Sequence, residues 1–235
     1  MQRHRFGPSL PVFTLLIALV LGLYEWVRGH PQDVPWTPLV LADPVGRMTV
    51  RKIGALHEDF AGCRRIIEAA GQAHEPLPPV IGAGSCGYDN GVRLTNGAQL
   101  RFQPAAAASC PMAASLFLWV HQVVQPAARR HFGVAASSIQ TFGTYSCRGI
   151  GGGLRPSEHA SANAIDIAAF HFPDGKRVSV AGDWPGNGPE AAFLRDVRDG
   201  ACRIFATTLS PDYNAAHRDH LHLDQAARGG FAFCR

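Results

Sequence analysis

The chain has 235 residues, of which 46% are hydrophobic and 17% charged, and its formal net charge is +4. This length suits one domain of ordinary size, and the hydrophobic content excludes global disorder because it can supply a packed core. Basic residues are spread thinly, with pairs such as Arg64–Arg65 and Arg129–Arg130 but no longer run. We therefore do not predict nucleic-acid binding.

The N-terminus carries an apolar run over Leu10–Tyr24, and Arg3 and Arg5 precede it. No small-x-small cleavage site follows the run, so an uncleaved signal anchor is favoured over a cleaved signal peptide. By the positive-inside rule the basic residues stay in the cytoplasm and the rest of the chain crosses the membrane. We predict a cytoplasmic tip and one transmembrane helix over residues 1–30.

Residues 31–46 are rich in proline, which removes amide donors and favours extended backbone. We predict that this segment is a tether or a surface strap outside the core, and that one domain covers residues 47–235. Periodicity then predicts further elements along the chain. Helices are predicted over 57–71, 110–133 and 188–205, a hairpin around Asn96–Gly97, and strands within 137–150, 162–172, 173–180 and 220–226.

Two residues shape the long helix over 110–133, because Pro126 is expected to kink it and Gly133 to end it. The helices and hairpins do not alternate as regular βα units. This order predicts an α+β fold with a mainly antiparallel sheet flanked by helices.

Six cysteines lie after the apolar run, at Cys63, Cys86, Cys110, Cys147, Cys202 and Cys234. None forms a CxxC pair, so neither a zinc knuckle nor a redox dithiol is indicated. An even number of cysteines in an exported chain predicts three disulfides. Sequence alone does not choose among the possible pairings, but proximity favours Cys86–Cys110 and Cys202–Cys234, which leaves Cys63 for Cys147.

The segment HRDHLHLD, residues 217–224, concentrates imidazole and carboxylate groups. Residues two apart in a strand share a face, so His220 and His222 point the same way. In NAIDIA, Asp166 faces away from the neighbouring isoleucines, and His159 can fold back beside it. If the two strands are neighbours, His159, Asp166 and His222 converge. Two imidazoles and one carboxylate with an open fourth position predict a catalytic zinc site.

A zinc-dependent hydrolase also needs a proton acceptor and a positive charge for the oxyanion. His220, His217 and Asp219 are the candidates for the base, and strand geometry favours His220. Asp219 is out of phase with the histidines, so it is better placed to orient an imidazole. Arg148, on the far side of a glycine-rich loop, is the candidate for the positive charge.

Two motifs carry a resemblance to known families. SEHASANAID resembles the SxHxxGxAxD motif of zinc D-Ala-D-Ala carboxypeptidases and murein endopeptidases, a superfamily that includes lysostaphin-type enzymes and the hedgehog domain. HRDHLHLD resembles the HxxHxH segment of penicillin-insensitive murein endopeptidases. From about Val50 to Arg235 the chain resembles more closely the bacterial extensin-like C-terminal domain, through segments such as GTYSCR, FLRDVRDGACRIF and the final FCR.

The superfamily resemblance implies a hedgehog/peptidase-like fold with zinc ligands at His159, Asp166 and His222. It puts His220 at the catalytic histidine position and implies an arginine near the preceding strand, which is Arg148. For a bacterial chain it also implies a single-pass anchor in the inner membrane and a domain in the periplasm. One departure concerns the motif glycine, which we place at Asn163, a residue type that tolerates left-handed backbone.

We expect a membrane-anchored zinc metallopeptidase that hydrolyses peptide bonds of peptidoglycan, its partner in the cell wall. The alternative is a domain that keeps the zinc and binds cell-wall peptide without cutting it, for which the hedgehog domain is the precedent. A third interpretation makes the histidines structural in an envelope protein stapled by disulfides.

Overall fold

The computed structural model describes residues 10–94 and 100–235. Its helices are α1 Leu10–Gly29, α2 Thr49–Gly54, α3 Phe60–Ala69, α4 Cys110–Trp119, α5 Gln125–Phe132, α6 Val180–Asp183 and α7 Pro189–Ala201. Its strands are β1 His74–Pro76, β2 Val80–Ile81, β3 Gly87–Tyr88, β4 Gly91–Leu94, β5 Arg101–Gln103, β6 Ala107–Ser109, β7 Ser138–Gly143, β8 Ala164–His171, β9 Arg177–Ser179, β10 Thr207–Leu209, β11 Leu221–Asp224 and β12 Phe233–Cys234. This mixture of helix and sheet is the predicted α+β class.

The main sheet has seven strands in the order β12-β10-β11-β8-β7-β5, and β9 pairs with β8. The pairs β10–β11, β11–β8, β7–β8 and β8–β9 are antiparallel, whereas β5–β7 and β10–β12 are parallel. The sheet is therefore mainly antiparallel, as predicted. Strand β8 lies in its middle and is buried along almost its whole length, which explains why the sequence of β8 contains so few polar residues.

A hydrophobic core forms between this sheet and the helices α4, α5 and α7. Trp119 at the end of α4 is fully buried, and its indole Nε1–H donates to the Val197 carbonyl on α7 at 2.9 Å. On α7, the side chains of Phe193 and Leu194 are also buried. The hydrogen bond from the buried Trp119 ring therefore joins α4, the central helix, to α7, the last helix.

The predicted long helix is interrupted by a π turn over Val120–Val124, which ends two residues before Pro126. Proline has no N–H to donate to the preceding turn, so the regular hydrogen-bond ladder is disturbed at this point. Gly133 ends the helix with a φ of 74°, as predicted. The other predicted turn, Asn96–Gly97, lies outside the described residues. Its flanking strands belong to different sheets, because β4 pairs with β1 and β6 while β5 pairs with β7.

Three disulfides staple the domain: Cys63–Cys110, Cys86–Cys147 and Cys202–Cys234. The predicted number is confirmed, and so is the pairing of Cys202 with Cys234. The predictions of Cys86–Cys110 and Cys63–Cys147 are wrong. Helix α3 packs against α4 and brings Cys63 to Cys110. The segment before β3 meets the loop after β7, so spatial packing and not sequence distance decides the partners.

Helix α1 is long and apolar enough to cross a membrane, with mean hydropathy 1.6 over Pro11–Gly29 and none of that stretch buried against the domain. A signal anchor and a signal peptide both have this character. The following residues 31–46 pack on the domain: Leu41 is 3% exposed and belongs to the core. The prediction that residues 31–46 lie outside the core is therefore wrong at Leu41.

Hydrogen bonds fasten the same segment to the domain. The Val45 amide donates to Gln122 Oε1 at 2.9 Å, and Lys52 Nζ donates to the Pro31 carbonyl at 2.7 Å. Lys52 is itself buried, and this burial lowers the pKa of its ammonium group. Residues 31–46 are therefore a docked strap.

Candidate metal centre

Strands β8 and β11 are neighbours, and their register places His222 directly opposite Asp166. Leu221 and Leu223 flank the histidine and are fully buried in the core. Because side chains alternate along a strand, Asp166 and His222 share the other face. The predicted adjacency of the two strands is confirmed.

His159 reaches the same point from a short 3-10 turn, Glu158–Ser161, that precedes β8. The Ser157 hydroxyl accepts a hydrogen bond from the His159 amide and caps this turn. Ala162 then reverses the chain with φ 55° and ψ 23°. His159 is 2% exposed, and its Nε2 lies 3.2 Å from Asp166 Oδ1.

The structure thus brings together the three predicted ligands. His222 Nδ1 is 2.9 Å from Asp166 Oδ1 and 3.3 Å from His159 Nε2. Donors at zinc–nitrogen and zinc–oxygen distances in a tetrahedral site are separated by roughly 3.3 Å, from the bond lengths of such sites. The three atoms are therefore spaced like three corners of a metal's coordination shell.

The outer nitrogens of both imidazoles are already engaged. His159 Nδ1 faces the Thr144 carbonyl at 2.8 Å, and His222 Nε2 faces Asp224 Oδ2 at 3.0 Å. Carbonyl and carboxylate oxygens only accept, so both outer nitrogens must donate. The inner nitrogen of each neutral ring then carries a lone pair that points at Asp166. Three lone pairs at this spacing repel one another unless a cation or a proton lies among them, and the donor set fits a divalent metal such as zinc.

The close contacts among Asp166, His159 and His222 also determine which of these groups are ionised. Burial opposes the charge of Asp166, but hydrogen bonds with His159 and His222 outweigh it and hold the pKa of this carboxyl well below its ordinary value. Burial would lower the pKa of His222, yet hydrogen bonds to Asp166 and Asp224 raise it to about 9. In the absence of a metal, a proton on His222 supplies the positive charge that the three donors require.

A cleft of about 290 Å³ opens beside these donors. His159 and Asp166 line it together with Phe142, Tyr145 and Arg148. The remaining lining includes Asp219 and His220. A cleft of this kind, with few apolar and several converging polar groups, has room for a small polar ligand such as part of a peptide.

His220 projects into this cleft next to the three donors. Its Nδ1 donates to Asp219 Oδ1 at 2.9 Å, and its Nε2 lies 3.5 Å from Asp166 Oδ1. The hydrogen bond from His220 lowers the pKa of Asp219, which stays ionised. Asp219 therefore orients His220 and leaves its Nε2 turned towards the site.

Arg148 and His217 complete the predicted set. Arg148 Nη2 lies 3.5 Å from Asp166 Oδ2, and 55% of the arginine side chain is exposed. The His217 ring centre is 5.2 Å from that of His220, and its Nδ1 donates to Asn214 Oδ1 at 2.8 Å. Burial and the neighbouring rings of His220 and His222 lower the pKa of His217 to about 4, so this ring is neutral at pH 7.

The family model for the C-terminus of extensin-like proteins matches residues 61–235. The chain belongs to this family. No curated protein and no solved structure gave a significant match. The matched region contains β8, β11 and every residue of the candidate metal centre and its cleft.

One expectation about the extensin-like domain needs correction. The left-handed backbone lies at Ala162 and not at Asn163. Counting the ten-residue motif from Ser157 also puts its glycine at position 162, so the assignment to Asn163 is one residue too late. The Asn163 side chain instead accepts from Ser109 Oγ at 2.8 Å and donates to the Gln225 carbonyl at 2.9 Å. It braces the turn that carries His159.

Sequence reasoning missed two partners of the predicted ligands. Asp224, which holds His222, lies two residues beyond it in β11, so the strand period that paired His220 with His222 would also have found it. Thr144, which holds His159, acts through its backbone carbonyl. No residue type is needed for that contact, so the sequence contains no signal for it.

Proposed function

We propose that this extensin-like domain is a zinc metallopeptidase that hydrolyses peptide bonds of peptidoglycan. The single observation that carries the proposal is the convergence of His159 Nε2, Asp166 Oδ1 and His222 Nδ1 beside an open cleft. We further propose that its fold is of the hedgehog and D-Ala-D-Ala-peptidase type, and that α1 anchors it in the inner membrane with the domain in the periplasm.

The donor set fits a catalytic metal better than a structural one. Structural zinc sites have four protein ligands, whereas His159, Asp166 and His222 are three and leave a position for water or substrate. When bound there, zinc supplies Lewis acidity, which lowers the pKa of water towards neutrality and polarises a peptide carbonyl. The Thr144 carbonyl accepts the hydrogen bond from Nδ1 of His159, so Nε2 is the nitrogen of this ring that would hold the metal.

The residues in and next to the cleft that are not proposed metal ligands supply the other groups that peptide hydrolysis needs. His220 Nε2 accepts the proton of the attacking water and passes it to the leaving amine, while Asp219 holds the Nδ1 proton and stabilises the charged ring. The Arg148 guanidinium stabilises the negative charge that develops on the carbonyl oxygen. The ring of His217 lies next to that of His220, with ring centres 5.2 Å apart, so His217 is the second candidate for the proton acceptor.

Three features support a substrate in the bacterial cell wall. SEHASANAID and HRDHLHLD resemble motifs of enzymes that act on murein peptides. Three disulfides are typical of proteins outside the cytoplasm. The apolar helix α1 has the length and hydropathy of an export signal or anchor.

Digestion of purified sacculi by the full-length protein in detergent, followed by mass spectrometry, tests this function. We expect released muropeptide fragments, and we expect a chelator to abolish the release. His220→Ala should keep bound zinc and lose about 100-fold or more of the rate, the contribution typical of a general base. His131→Ala is the matched control, because His131 binds Asp196 away from the cleft and its loss should change neither zinc content nor cleavage.

Two results would contradict the proposal in different ways. Purified wild-type protein without zinc, even after incubation with the ion, would make the histidines structural. Protein that holds zinc but leaves a broad panel of muropeptides intact would favour the domain that binds cell-wall peptide without cutting it.

A further inference from the structure

Asp224 contacts His222 on the opposite side of the ring from Asp166, so two carboxylates bracket one imidazole. We infer that Asp224 is a positioning residue of the metal centre, which fixes His222 in the tautomer and orientation that present Nδ1 to the ion. This inference rests on the proposed function, and it adds a residue that touches neither the metal position nor the cleft lining.

The Asp224 carboxylate is itself held firmly. The side chain is 7% exposed, its Oδ1 accepts from the Ala226 amide at 3.0 Å, and its Oδ2 lies 3.0 Å from His222 Nε2. Among the residues that the structure describes, its ion pair is with His222. A buried carboxylate costs free energy unless it is paired, so its presence here requires a positive or strongly donating partner.

The two proposed imidazole ligands are supported unequally. The outer nitrogen of His159 meets a neutral carbonyl, that of Thr144, whereas the outer nitrogen of His222 meets the charged Asp224. A carboxylate on the outer nitrogen makes the inner nitrogen a stronger ligand, and loss of such a partner typically weakens metal affinity about 10–100-fold. His222 is therefore the ligand whose strength depends on a side chain that mutation can remove.

Competition titration of zinc with a chromogenic chelator, on the full-length protein in detergent, tests the inference. We expect Asp224→Ala to weaken the zinc Kd about 10–100-fold. Asp224→Asn should weaken it less, because the amide oxygen still accepts from Nε2 but carries no charge. The control is Asp196→Asn, which alters a second Asp–His pair outside the site and should leave the zinc Kd at the wild-type value.

Cobalt(II) provides a readout that a general loss of stability would not mimic. Its visible absorption reports ligand geometry, so we expect Asp196→Asn to match the wild type and both Asp224 variants to shift or weaken the bands. Circular dichroism identifies a variant that fails to fold, and if Asp224→Ala does so, the Asn variant decides. Zinc Kd and cobalt spectra equal to those of the wild type in every Asp224 variant that folds would overturn the inference alone. A wild type that binds neither metal would overturn the proposed function together with it.

Discussion

His222 lies directly across the β8–β11 ladder from Asp166, and its Nδ1 is 2.9 Å from the Asp166 carboxylate. The pairing of these two residues depends on the register of the sheet. A slip of one residue would turn His222 towards the core and put a leucine in its place. The buried leucines on either side of His222 thus hold the register, and through it the candidate metal centre.

The metal-free protein should lose stability at alkaline pH. Because the pKa of His222 is raised from 6.5 to about 9, its proton stabilises the folded state fully below pH 6.5, and this contribution is lost as the pH rises through 9. A shift of this size corresponds to about 3 kcal/mol in the free energy of unfolding. Urea unfolding with a chelator present, at pH values below and above this window, measures the loss.

Asp166→Asn is the matching variant, since it removes one of the two carboxylates that raise the pKa of His222. We expect its stability to depend less on pH across the same window. An equally steep alkaline loss in wild type and variant would show that this pair does not cause it.

The Cys86–Cys147 disulfide adjoins Arg148, which lines the cleft. Replacing both cysteines by serine should lower the free energy of unfolding by about 2–4 kcal/mol, because the bond closes a long loop of the unfolded chain. It should also slow cleavage while the zinc Kd stays near the wild-type value, since the loop that carries Arg148 loses its staple. Chemical denaturation, zinc titration and sacculus digestion measure the three effects.

The control for this variant is the Cys202→Ser, Cys234→Ser pair, which removes a disulfide between the C-terminus and the end of α7. It should also cost stability, but without a comparable loss of cleavage per folded molecule. A similar catalytic loss in both double variants would mean that general destabilisation explains the effect.

Neighbouring residues in the turn after His159 should respond differently to mutation. Asn163→Ala should lower the free energy of unfolding by about 2–3 kcal/mol, because Ser109 Oγ and the Gln225 carbonyl lose a buried partner. Ala162→Gly should change it by less than about 1 kcal/mol, since relief of the left-handed strain offsets the added chain entropy and the lost methyl burial. Thermal and urea unfolding compare them, and a larger effect at Ala162 would refute the assignment of their roles.

Two helical glycines should give opposite signs on substitution by alanine. A Cβ on Gly200 in α7 would collide with the Val123 side chain in the π turn, so Gly200→Ala should cost about 1–3 kcal/mol by overpacking. A Cβ on Gly54 in α2 meets no atom within 4 Å, so Gly54→Ala should gain up to about 1 kcal/mol from helix propensity. Urea unfolding of both variants measures these values, and a stabilised Gly200→Ala would show that the contact gives way easily.

Strand periodicity explains why part of the site could be predicted. The alternation in HLHLD separates buried Leu221 and Leu223 from His220 and His222, and the same rule applies to Asp166 between Ile165 and Ile167. The buried residues Phe193, Leu194 and Val197 of α7 are spaced as one face of a helix in the same way. Such local patterns record which face of an element is buried, and so they are visible in a single chain.

Other features depend on how elements pack, which local patterns do not record. The partners of Cys63 and Cys86 follow from the packing of α3 on α4 and of the β3 region on the loop after β7. Strands such as β2 and β3 have two residues each, too few to show a period. Thr144 acts through its backbone, so its role is visible only once the chain is folded.

The docking of residues 31–46 limits how far the domain can move away from α1. Fully extended, residues 31–46 would span roughly 50 Å, but Lys52 holds the start of the strap and Gln122 holds its end. Lys52→Met should release the start and speed limited proteolysis within 31–46, whereas equal cutting of variant and wild type would contradict this attachment. If α1 lies in a bilayer and the domain cleaves peptidoglycan, as we propose, the domain would reach only the wall material that lies nearest the lipid surface.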